Sequence, residues 1–287
     1  MQPCSTADTS FSVKDTTRMN SIASADRPAW AALVLPIALL AASMLLLVAV
    51  GAADYPGEVA KKMGRSTAQM AIAAGLFVLL QRTGLAREAG LTRPVREWPR
   101  AWPLAVIPMA LIGLINVLSV DLQSLTFDLP RTAAWLYSSI STGLFEEILL
   151  RGFCFYYLYR AWQAQPNALV KAGLAQALIF GLAHTYNIFQ APLGDVVPQV
   201  VYATLLGIGF AGIAAYTRSL WPVIGIHAFI NAMGDLDVFF GVEAPAEAGS
   251  ASGYLAAIAV IFVVSTIPGL VMLRRRQAQI DETPQDA

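Results

Sequence analysis

The chain has 287 residues, of which 56% are hydrophobic and only 13% charged, with a mean hydropathy of +0.58. Ordinary soluble domains carry about 25% charged residues, so this composition excludes one and reads as a polytopic membrane protein. Lys plus Arg equal Asp plus Glu at 19 each, so charge points to no nucleic-acid partner and no acidic ligand; with Cys4 and Cys154 as the only cysteines, neither a disulfide framework nor a thiolate metal cluster is expected.

In chain order, residues 1–28 are polar and Ser/Thr-rich and are expected to be a disordered tail. The run Trp30 to Val50 is longer than a signal-peptide core and long enough to span a bilayer, so it is read as an uncleaved first helix. Apolar runs bounded by charged or turn residues then place helices at 66–81, 102–120, 132–159, 170–187, 196–217, 220–240 and 253–273. The expected fold is all-α, a transmembrane bundle of about eight spans over residues 29–273 with a C-terminal tail at 274–287. Cytoplasmic loops retain Lys and Arg. With both termini inside, fourteen of these residues fall on inside segments and four (Lys61, Lys62, Arg65, Arg131) outside. Both termini are therefore expected in the cytoplasm and the chain in the cell's inner (plasma) membrane, with only the first outside loop against the trend. Gly207, Gly209 and Gly212 suit close helix approach. Trp98, Trp102, Trp162 and Trp221 fall near helix ends as interfacial anchors.

The fourth span breaks the apolar pattern with Glu146, Glu147 and Arg151 in "LFEEILLRGF". An ionisable side chain in hydrocarbon costs several kcal/mol unless it faces the bundle interior and finds a partner. Glu147 and Arg151 are four apart, in the favoured order for pairing along one helix face. Glu146 is turned about 100° away, with no basic residue four positions either side, which leaves its carboxylate free as a proton acceptor.

Only two histidines exist, His184 and His227, and both sit in apolar helical runs; Asn231 follows His227 by four and shares its face. Depth gives an independent check. At 1.5 Å per residue, Glu146 lies ~21 Å from Arg160, His184 ~20 Å from Lys171, and Asn231 ~20 Å from Arg218. Three spans thus bring their rare polar groups to similar depth, which argues for one shared site inside the bundle.

These residues resemble the CPBP family of intramembrane proteases, which includes type II CAAX prenyl endopeptidases and bacteriocin-processing or Abi-type proteins. "EEILLR" fits E-E-x-x-x-R, Phe180 to His184 fits F-x-x-x-H, and His227 to Asn231 fits H-x-x-x-N, in the family's order, within residues 130–240. The resemblance implies an endopeptidase in which Glu146, helped by His184, activates water while His227 and Asn231 donate to the oxyanion. Glu147, Arg151 and Phe180 would support them. It leaves two forms open: no cofactor, or zinc held by Glu146, His184 and His227 with water in the fourth position. The implied partners are membrane lipid and a peptide or protein substrate, lipidated or not.

Other plans fit less well. No H-E-x-x-H occurs, and no G-x-S-x-G elbow surrounds Ser139 or Ser141. Haem ligation by His184 and His227 would leave the glutamates idle. The alternative kept is a proton- or ion-coupled transporter using the same buried polar groups, although no internal repeat or pair of broken helices accompanies them.

Overall fold

The structure is a computed structural model that describes residues 28–118, 120–189, 191–241 and 250–282. It is all-α, with no strand among the described residues. Helix α1 (Val34–Gly51) follows a 3-10 turn at Ala29–Leu33, and α2 (Glu58–Arg82), the short α3 (Leu85–Glu88) and α4 (Trp102–Val117) come next. The fourth run is helical from end to end but changes pitch: α5 (Leu129–Glu147), a π-helical stretch (Ile148–Phe155), then α6 (Tyr156–Trp162). Helix α7 (Ala168–Ala183) tightens into a 3-10 turn at His184–Phe189. It is followed by α8 (Leu193–Thr217), α9 (Trp221–Gly234) and α10 (Leu236–Phe240). Finally α11 (Ala251–Ile261) passes through a second π stretch, Phe262–Thr266, into α12 (Ile267–Asp281).

Among the described residues the apolar runs read from the sequence are helical over most of their length; the run at 220–240 divides at Asp235 into α9 and α10, and two boundaries shift furthest. Helix α2 starts at Glu58, well before 66, because Lys61, Lys62 and Arg65 interrupt the hydropathy but not the helix. At the other end, α12 continues to Asp281 past the expected edge at 273, and Gln277 Oε1 accepts Leu169 N–H at 2.8 Å, so this turn is packed rather than a free tail. The polar segment at 1–27 lies outside the described residues.

By length and composition five helical segments can cross a membrane: Ala29–Gly51, Glu58–Arg82, Ala168–Phe189, Leu193–Thr217 and Ala251–Asp281. The run from α5 to α6 and helix α9 are not among them. These two carry Glu146, Glu147, Arg151 and His227, and the bundle surrounds them. α5 packs on α2 and α9, the π stretch touches α2, α7 and α8, and α7 and α8 pack extensively together. All eight residues of the first π stretch are buried, so its charged neighbours meet protein instead of lipid, which is the condition an intramembrane charge requires.

Polar links fix the packing around this centre. Asp128 caps α5, accepting Arg131 N–H at 2.7 Å. Across α2 and α5, Ser66 Oγ donates to Ser138 Oγ at 3.1 Å, and Thr142 Oγ1 to Gln69 Oε1 at 3.0 Å. Buried Gln176 on α7 donates to the Gly207 carbonyl of α8 at 3.1 Å, and glycines let the same two helices approach: a Cβ on Gly181 would lie 2.7 Å from Val200 O.

Candidate active site

Glu147 sits at the last turn of α5, fully buried, and organises the polar cluster. Its Oε1 accepts from Arg151 Nη1 at 2.8 Å and from His227 Nδ1 at 2.6 Å. The pairing with Arg151 follows from the spacing of four. The bond to His227 joins residues 80 apart in sequence, and no local pattern announces it. Because a carboxylate oxygen only accepts, this bond places a proton on Nδ1 and turns Nε2 outward.

Nε2 of His227 faces Glu146, whose Oε2 lies 3.5 Å away. That separation is too long for a strong direct hydrogen bond. The neighbouring glutamates therefore meet one imidazole from two sides, with different access: the Glu146 side chain is 19% exposed and that of Glu147 0%. Glu146 borders a cavity of about 190 Å³, and His184 borders the same cavity. Leu40, Met44 and Leu47 of α1 give it an apolar wall, and Arg65 and Gln69 of α2 add polar groups.

His184 stands where α7 ends, and its Nδ1 is held by the Phe180 carbonyl at 2.9 Å, four residues back. This bond directs Nε2 toward the open side. Phe180 does more than the motif implies. Its ring meets His184 edge-on at 4.9 Å, meets His227 at 6.1 Å, and lies 4.5 Å from the Arg151 guanidinium. Phe210 of α8 covers Arg151 at 5.1 Å and His227 at 5.0 Å. Arg151 Nε and Nη2 have no hydrogen-bond partner among the described residues, so two aromatic faces take the place of acceptors on that side of the cation. Phe210 escapes sequence reasoning because a phenylalanine in an apolar span carries no distinguishing signal.

Asn231 is one turn beyond His227 on α9. It is half-buried and is not among the residues bordering the cavity. Of the residues expected at the site, Glu146, His184 and His227 are thus gathered around Phe180, with Glu147 and Arg151 behind them and Asn231 at one side. Among the described residues no group of three or more His, Cys, Asp or Glu is arranged to hold a metal ion.

Fold and site together define a multi-pass helical membrane protein with a carboxylate–imidazole centre opening into an internal cavity. Residues 128–233, the segment that contains all three motifs, match the family model of Rce1-like type II CAAX prenyl endopeptidases. The chain matches no curated protein and no solved structure.

Proposed function

We propose that the protein is an endopeptidase that cuts a peptide bond near the C-terminus of a short or lipidated, CAAX-like substrate within the inner (plasma) membrane. One observation carries the catalytic assignment: Glu146 is the carboxylate of the cluster that reaches the cavity, while Glu147 is sealed behind it. Water in the cavity is held between Glu146 and His184. Glu146 takes its proton as the oxygen attacks the peptide carbonyl.

Charge moves to the carbonyl oxygen, toward which doubly protonated His227 donates from Nε2 with Asn231 as second donor. Glu147 accepts from Nδ1 and fixes the orientation of the His227 ring, the part an acid plays behind a catalytic histidine. Collapse breaks the C–N bond, and the proton held by Glu146 passes to the departing amine. Before the proton transfer, the charges of Glu146 and Glu147 balance those of Arg151 and His227, so the cluster is neutral, as a low-dielectric interior favours. Every step uses only this chain's own side chains and the attacking water. The expected outcome of metal analysis is active protein without stoichiometric zinc, insensitive to chelators; zinc whose removal and return track activity would replace the water-activating scheme.

The substrate is sought by comparing peptide termini in membranes carrying the wild type with those carrying Glu146→Ala. At least one terminus should vanish in the variant. Identical termini in the two membranes would remove the protease reading.

A further inference from the structure

Arg65 is one of three basic side chains in the first outside loop that oppose the positive-inside pattern, and the structure puts it on the cavity wall beside Glu146 and His184. It has no carboxylate within salt-bridge distance and no hydrogen-bond partner among the described residues, while its stem packs over Gly51, where an added Cβ would lie 3.3 Å from Cδ. Gln69, one turn further along the same face of α2, also borders the cavity. Its Oε1 is occupied by Thr142 Oγ1 at 3.0 Å, which leaves the amide NH2 as its free end. An unneutralised guanidinium and a spare amide donor thus face the space next to the base. Arg65 is half-buried, and a bound anion neutralises its charge beside the cavity.

We propose that Arg65, assisted by Gln69, receives the free carboxylate at the C-terminus of the bound peptide; this rests on the protease reading above. The planar fork of an arginine matches a carboxylate in two parallel hydrogen bonds. With the terminal carboxylate on Arg65, the peptide bonds that come within reach of Glu146 are those close to the C-terminus. The apolar wall of α1 stays free for side chains or a lipid tail.

The test uses the full-length protein in phosphatidylcholine nanodiscs and a matched pair of synthetic farnesylated peptides, one ending in a free acid and the other in the amide. Binding is read by fluorescence anisotropy in the Glu146→Gln background, and hydrolysis in the active protein. The acid should bind and turn over better by roughly 10- to 100-fold, the range of a charge-assisted hydrogen bond. Arg65→Gln should bring that ratio close to one, mainly through KM, and Arg65→Lys should keep part of it. An acid-to-amide ratio unchanged by Arg65→Gln overturns the assignment even if both peptides are cut. Binding discrimination without hydrolysis upholds Arg65 as the carboxylate receptor and removes the protease reading. Failure to bind either peptide overturns both. Displacement of both peptides alike by phosphatidylglycerol, lost in Arg65→Gln, would give Arg65 to a lipid phosphate and also overturn the proposal.

Discussion

Glu146 and Glu147 are adjacent in the chain, yet the fold gives one to the cavity and the other to a sealed cluster, and this difference can be measured. Glu147→Gln leaves Arg151 buried with its carboxylate partner reduced to a neutral amide. Breaking a buried pair in this way costs about 3–5 kcal/mol, so the thermal transition of the purified protein should fall sharply. Glu146 has no Arg or Lys within salt-bridge distance among the described residues. Glu146→Gln should leave the transition nearly in place while hydrolysis drops by roughly 10²- to 10⁴-fold, the range for a lost general base. The reverse pattern would show that the two roles have been exchanged. The sequence made the Glu147–Arg151 pair legible through its spacing of four and made the shared depth of Glu146, His184 and Asn231, with His227 one turn away, legible through helical rise. It could not reveal that Glu147 also binds His227, since that contact depends on how α9 rotates against α5. Arg65 was read as a loop charge for a similar reason: hydropathy counts a cation as outside, whereas the helix carries it to the cavity.

Among the elements, α7 and α8 were visible as apolar runs, and their glycines pointed to close approach, but hydropathy has no signal for the crossing point itself. The structure locates it at Gly181, three residues before His184. An added Cβ there would lie 1.8 Å from Thr204 Oγ1 and 2.7 Å from the Val200 carbonyl. The threonine can rotate, but the carbonyl belongs to the α8 backbone, so Gly181→Ala must push the helices apart. Such overpacking costs about 1–3 kcal/mol, and it displaces the 3-10 turn that presents His184. Activity should therefore fall more than stability does. Gly75 on α2 is the matched control, because an added Cβ meets nothing within 4 Å. Gly75→Ala should be neutral or stabilising by up to about 1 kcal/mol through helix propensity alone. Equal losses from the two substitutions would show that the α7–α8 crossing does not position the site. The π stretch after Glu147 was equally illegible, since "ILLRGFCF" reads as ordinary apolar helix; it appears where tertiary packing buries all sides of the chain, and such irregular turns recur at functional sites.

Across the whole molecule, the loops sort into two groups as alternating spans require. At one end Trp162 Nε1 donates to Ala29 O at 2.9 Å, Trp221 Nε1 to Leu91 O at 3.0 Å, and Arg160 Nε to Glu88 at 2.8 Å. These bonds join segments that the Lys and Arg bias assigns to the inside. At the other end Lys62 pairs with Asp235 at 2.5 Å, Trp135 Nε1 donates to Ala232 O at 2.7 Å, and Tyr254 OH donates to Asp195 at 2.8 Å. The basic residues of the first outside loop, which oppose the bias, are largely engaged within the fold: Lys61 with Glu58 at 3.5 Å, Lys62 with Asp235, and Arg65 at the cavity. The Lys and Arg count favours one orientation, with the end that carries Arg160 and Arg274 to Arg276 in the cytoplasm. A green fluorescent protein fused after residue 281 should then fluoresce, and alkaline phosphatase at the same place should stay inactive. Alkaline phosphatase inserted between residues 121 and 127 should be active. Since Glu146 lies ~21 Å from Arg160 along the helix axis, this orientation sets the site well away from the cytoplasmic face, so a cytoplasmic substrate must thread its C-terminus inward to reach it. The opposite pair of reporter results would reverse that path and require substrates presented from the other side.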